Sequence, residues 1–254
     1  MTTGLFWYRG SGVEQHNFGD SIAPHLVRGL AGLEPVWQAM PGADLVTIGS
    51  VMSKVPDGWP GIVLGTGTIR SGLVRDLRRA IVLCLRGERT REACLPSGNP
   101  TLGDPGILAP DLFPAVRPLP RHDVVIVPHY IDHEMARRYP KAVRVDILAD
   151  HRTVLAGIAS AKLVVTSSLH ALVAADALGV PQVLEPHPAV IGGLWKFEDY
   201  VSAFGLSIQP NTTRLTPRPL MTERQNALRA CFRGLAGAVT RYRAQKLRGT
   251  RSAP

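Results

Sequence analysis

Short apolar runs rich in Val, Ile and Leu alternate with helical patterns along most of the chain. The first run covers 5–8, and a polar, Gly-containing loop leads from it into a helical stretch over about 21–30. Further runs fall at 45–48, 62–64 and 81–85, with helices predicted over about 70–79 and 88–94. Five prolines then lie between Pro105 and Pro120, a density that blocks helices and central strands and reads as a linker. Beyond it the alternation restarts: strands over 124–127, 143–147, 163–166 and 182–184, helices over 134–139, 152–160 and 169–178. Gly179 and Pro181 stop the last of these helices. A final helix over about 222–246 carries Leu228, Cys231, Leu235 and Val239 at spacings of three and four, and a frayed tail is expected over 248–254.

Strands alternating with helices predict an α/β protein with parallel strands. The linker divides it into an N-terminal lobe (1–115), a C-terminal lobe with an anion site (116–210) and a basic helix with its tail (211–254). Ligands then belong in the cleft, at the carboxyl ends of the strands.

Composition narrows the class. With 254 residues, 45% hydrophobic and 19% charged, the chain can bury a sizeable core and is not a disordered polyelectrolyte. No stretch without Asp, Glu, Lys or Arg, 163–175 among them, reaches the ~20 apolar residues of a spanning helix. No basic region followed by an apolar stretch opens the chain, and three cysteines without CxxC spacing suggest neither a zinc site nor a disulfide framework. A cytoplasmic location is expected. The net charge of +9 is local: ten basic residues and one acid, Glu223, lie after residue 204, and the rest of the chain is balanced. Nucleic-acid binding is not expected from this.

Several segments at predicted strand ends could carry chemistry. In His16-Asn17-Phe18-Gly19-Asp20-Ser21, Asp20 either caps a helix or faces the cleft as a base or sugar ligand, with Asn17 beside it. In Thr166-Ser167-Ser168-Leu169-His170, two serines and a helix start offer unpaired N–H groups to an anion, or form an ordinary cap. Arg86, directly after the strand at 81–85, is a bidentate anion ligand or part of a solvated face with Arg89 and Arg91. His129 ends another strand, and Lys196 lies in the amphipathic segment 195–200. Gly65-Thr66-Gly67-Thr68 matches neither a dinucleotide nor a P-loop pattern. No motif or carboxylate cluster at metal spacing is present, so neither metal nor cofactor is expected.

Taken in order, these segments resemble the polysaccharide pyruvyl transferase family, especially the ketal-pyruvate transferases of bacterial exopolysaccharide synthesis. The matching pieces are Phe6-Trp7, Asn17 to Asp20, Gly65 to Gly67, Arg86-Gly87 with Arg89 to Arg91, Gly103 to Leu108, Ile126 to His129, Ser167 to His170 through Pro181, and Lys196 to Tyr200. The resemblance implies two Rossmann-like lobes similar to glycosyltransferase type B, phosphoenolpyruvate as donor, and an oligosaccharide or polysaccharide of the cell surface or an exported polysaccharide, lipid-linked or free, as acceptor. It assigns the donor to Arg86, Ser167, Ser168 and Lys196. His170 becomes the acid, as an imidazolium favoured by the donor's charge; His129 and Asp20 become bases, and Asn17 and Asp20 face the acceptor. Several relatives carry arginine where this chain has Ser168, which shifts charge neutralisation onto Arg86 and Lys196. Two other readings are a nucleotide-sugar glycosyltransferase using the same helix start, and a non-catalytic polyanion binder acting through the basic C-terminus. That segment also suggests peripheral attachment to the anionic inner face of the plasma membrane.

Overall fold

The computed structural model describes residues 1–12 and 16–251, with side chains through 248. In chain order the first half runs β1 (Thr2–Phe6), α1 (Phe18–Ser21), α2 (Ala23–Ala31), β2 (Glu34–Trp37), β3 (Leu45–Val46) and β4 (Ile62–Leu64). It continues with β5 (Arg75–Leu77), β6 (Ile81–Leu85), α3 (Glu88–Ala93), β7 (Cys94–Pro96), β8 (Thr101–Leu102) and α4 (Ala109–Leu112). The second half comprises β9 (His122–Val127), α5 (Met135–Arg138), β10 (Val143–Arg144), α6 (His151–Ala159) and β11 (Ala161–Thr166). After these come α7 (Leu169–Leu178), β12 (Gln182–Leu184), α8 (Trp195–Ser202), β13 (Thr213–Arg214) and α9 (Arg218–Arg251).

The fold is mixed α/β with two main parallel sheets. One has the order β2-β1-β3-β4-β6-β8, all pairs parallel, and registers Leu5 with Leu45, Leu45 with Ile62 and Ile62 with Ile81. The other has the order β10-β9-β11-β12-β13; only its β12–β13 edge is antiparallel. Strands such as β4, with all three residues buried, are apolar throughout because helices and loops cover both faces of a parallel sheet.

Helix α7 holds the two halves together. Every residue from Leu169 to Leu178 is buried, and its alanines permit close packing: Val173 lies against Gly106 in the turn before α4. Asp176, inside α7, accepts hydrogen bonds from Tyr200, Arg214 and Thr216, tying α8 and β13 to it. Across the halves, the Phe18 amide donates to the Ile147 carbonyl.

Two expectations change. The stretch 70–79 is not a helix: Gly72 adopts φ +78°, and β5 pairs with β7 instead, with Asp76 clasping Arg78 in the following turn. The proline-rich stretch is irregular only in its second half, because its first two prolines sit where helices tolerate them. Pro105 and Pro110 occupy first turns, Asp104 caps the first of these through the Gly106 amide, and 105–109 are buried. The basic C-terminal helix packs through its apolar stripe, as its spacing predicts. In α9, Met221, Leu228, Phe232, Leu235, Val239 and Tyr242 are buried, the helix packs on β4, β6, β8 and α2, and Gln225 donates to the Ile107 carbonyl. Residues 252–254 of the expected tail lie outside the described residues. Among the described residues, no helix is long and apolar enough to cross a membrane.

Candidate active site

The carboxyl ends of strands from both sheets open onto one cavity of about 520 Å³. From the first half come Tyr8 after β1, Asn17 and Asp20 around α1, Ser50 and Val51 after β3, Ser53 and Lys54 in the following helical turn, and Ile69 after β4. From the second come His129, Tyr130 and Ile131 after β9, Ser168 to His170 where β11 passes into α7, Ala189, Ile191, and Lys196 on α8. Asn17, Asp20, His129, Ser168, His170 and Lys196, picked out by sequence, are therefore neighbours in space.

Two glycines allow the walls to close in. A Cβ on Gly19 would overlap the His170 ring, and one on Gly49, at φ +95°, would lie 2.7 Å from Asp20 Oδ1. His170 is thus packed tightly against α1, and its Nε2 is buried without a hydrogen-bond partner among the described residues. Asn17 Nδ2 donates to Asp20 Oδ2 at 3.0 Å, orienting the carboxyl.

The local field sets the protonation states. Burial pushes Asp20 up to about 7, opposed by Lys196 and reinforced by nearby Asp104. Burial and the Arg86 charge bring Lys196 down to about 8, with Asp20 pulling the other way. Burial, Lys196 and Arg86 hold His170 down to about 3, while burial and Lys196 hold His129 down to about 4. The imidazolium expected at His170 is therefore not its resting form. Two cations and a dry setting disfavour the charged ring, and the positive end of α7 acts in the same direction. Asp20 is the group poised near neutrality.

Two expected donor ligands are committed elsewhere. Arg86 is wholly buried behind the cavity wall: Nε donates to Asp199 at 2.8 Å, Nη1 to Ser50 Oγ at 2.6 Å and Nη2 to the Thr68 carbonyl at 2.5 Å. Asp199 also accepts from the Thr90 amide and hydroxyl. Arg86 thus joins the first sheet to α8 one turn from Lys196 and acts on the cavity through its field and through Ser50. Ser167 accepts from the His129 amide and donates to Asp132 Oδ2 at 2.8 Å, so it fixes His129 rather than facing a ligand. Ser168, by contrast, lines the cavity and makes no side-chain hydrogen bond among the described residues, although it stands at the N-cap of α7.

Lys54, Ser50, Tyr8 and Tyr130 line the cavity without having been singled out in the sequence. For Ser50 and Lys54 a signal existed: they follow a buried parallel strand, as the chosen segments do. Neither Lys54 nor Lys196 makes an ion pair among the described residues.

The strand ends of two parallel sheets thus bring a helix start and two lysines without ion pairs among the described residues beside a carboxyl of raised proton affinity in one α/β cavity. Residues 62–184, from β4 through β12, match the family model described as polysaccharide pyruvyl transferase, which bears out the family resemblance over that span. The chain is also 30% identical over 166 residues to the uncharacterized protein L143 of Acanthamoeba polyphaga mimivirus, a match covering 57% of this chain. It spans about half the length of that curated relative (55%). No solved structure matches.

Proposed function

We propose that the protein transfers pyruvate from phosphoenolpyruvate onto a saccharide, forming a pyruvate ketal within two Rossmann-like lobes arranged as in type B glycosyltransferases. The observation that supports this most is the pairing, in one cavity, of uncommitted anion ligands with a carboxyl held near neutrality. Lys196, Lys54, Ser168 and the first N–H groups of α7 take the donor's phosphate and carboxylate. Lys54, on the first half, supplies the cation that Ser168 does not.

In the reaction, the donor's methylene carbon gains a proton, a sugar hydroxyl oxygen bonds to C2, the C2–O bond to phosphate breaks, and a second hydroxyl closes the ketal. Of the two hydroxyl protons released, one balances the new methyl group and the other leaves with phosphate. Asp20, steered by Asn17, exchanges protons with the acceptor hydroxyls, and His129 lies across the cavity as a neutral base. His170 gives the proton to carbon. A bound dianion offsets the pull of Lys196 and Arg86 and raises the affinity of its ring for a proton.

The test is incubation with phosphoenolpyruvate and saccharides, following phosphate release and the ketal methyl group by NMR, together with thermal protection by phosphoenolpyruvate against nucleoside diphosphates. Protection by the diphosphates alone would favour a nucleotide-sugar transferase. The exposed arginines of α9, including Arg218, Arg233 and Arg241, fit a cytoplasmic enzyme resting on an anionic leaflet. Flotation with anionic vesicles should then occur at low salt and fail at high salt; absence of binding at both refutes it.

A further inference from the structure

Just outside the cavity, the ends of β1 and β2 carry an aromatic cluster that the proposed chemistry does not use. Tyr8 lines the cavity and is 40% exposed; Trp37, on the neighbouring edge strand, is 36% exposed. Trp37 is held in place: its indole N–H donates to the Trp7 carbonyl at 3.2 Å. The Arg9 guanidinium lies 4.9 Å from the Trp7 ring centroid and 5.0 Å from that of Trp37, with no carboxylate partner among the described residues. An ordered indole left in water at an edge strand contributes little to the core. Combined with a guanidinium fixed by stacking, it offers a rigid apolar face beside hydrogen-bond donors. Sugar rings present that same pairing of C–H faces and hydroxyls.

We infer that Tyr8, Trp37 and Arg9 form a saccharide subsite that holds the units of the acceptor next to the one being modified. Tyr8 lines the cavity and stands in the chain between Trp7 and Arg9, both of which touch Trp37, so a saccharide leaving the cavity over the phenol reaches the Trp37 face. This inference rests on the saccharide acceptor of the proposed function and adds to it the residues that hold the units beside the reacting one.

The test is an array of defined glycans, from monosaccharides to hexasaccharides, probed with the wild-type protein, Trp37→Ala and Trp37→Tyr. Wild type should bind glycans of three or more units in preference to monosaccharides. Trp37→Ala should weaken that binding at least tenfold and Trp37→Tyr should restore most of it, while both variants bind phosphoenolpyruvate in calorimetry as wild type does. The subsite is overturned if wild type binds no glycan, or if Trp37→Ala binds as wild type does. It is overturned too if the face instead drives a dimer that Trp37→Ala abolishes without any glycan binding. Trp37-dependent glycan binding without phosphate release from phosphoenolpyruvate would leave the subsite standing and refute pyruvyl transfer. Transfer unaffected by Trp37→Ala on long and short acceptors would do the reverse.

Discussion

Arg86 and Lys196 are both buried cations near the same cavity, yet their surroundings differ in kind. All three terminal nitrogens of Arg86 are spent on Asp199, Ser50 and Thr68, in a network that joins the first sheet to α8. Lys196, one turn before Asp199, faces the cavity with no ion pair among the described residues. A charge whose hydrogen bonds are satisfied by protein stabilises the fold; a charge left unsatisfied at a cavity is available to a ligand. The contrast divides the candidate residues into those that build the site and those that use it.

Arg86→Met should produce the largest loss of stability. Removing one partner of a buried pair leaves Asp199 uncompensated, at a cost of about 3–5 kcal/mol. Arg86→Lys cannot reproduce the three-way fork and should also lower the unfolding midpoint, whereas Lys196→Met should leave it near the wild-type value. Equal midpoints for the Arg86 and Lys196 variants in chemical denaturation would erase the distinction.

His170→Asn should reduce ketal formation by about 10²–10⁴-fold, as expected for loss of a general acid. Its effect on stability should exceed that of a surface substitution, because the ring is buried against Gly19. Steady-state rates with the unfolding midpoint separate these effects; near-normal transfer would move the acid to Asp20.

Asp20→Asn sharpens the electrostatic side. Between the ordinary carboxylate value of 3.8 and about 7, the unfolded chain has lost the proton that the folded protein keeps. Stability contributed by this group therefore falls as pH rises across that window and levels off above it. Asp20→Asn should match wild type below pH 4 and be more stable at pH 8, by an amount on the order of 4 kcal/mol. Denaturant melts at the two pH values measure it, and a constant difference would contradict the raised affinity for the proton.

The smallest effect concerns donor affinity and pH. Lys196 is protonated below about 8, so the KM for phosphoenolpyruvate should rise as pH passes through that value. In Lys196→Arg the rise should move to higher pH; an unchanged profile would remove Lys196 from the donor site.

The sequence made the long parallel strands legible because burial on both faces leaves apolar runs such as 81–85 and 163–166. It did not reveal β2, β5, β7, β8 or β13, which have two to four residues each, several of them polar or proline, and whose pairing is decided by neighbours. Within the site, the residues at strand ends were legible because parallel sheets put those ends together: Asp20, His129, Ser168 and His170 all line one cavity. What could not be read was which polar group already has a protein partner. Ser167 and Ser168 are adjacent and chemically identical, but one is bound to Asp132 and the His129 amide and the other faces the cavity. Lys54 follows a buried strand as the chosen residues do, but a helical turn after Val51 separates it from the strand end, and its sequence neighbours carry no other chemistry.

The most direct measurement is calorimetric titration of phosphoenolpyruvate into wild type and Lys196→Met, with uridine diphosphate as the competing ligand class. Charge-assisted hydrogen bonds of about 1.5–3 kcal/mol at this lysine call for one-to-one binding to wild type, weakened at least tenfold in the variant, and no comparable binding of the diphosphate. Equal affinity of both proteins for phosphoenolpyruvate, or heat from the diphosphate alone, would contradict a donor site built on the uncommitted cation.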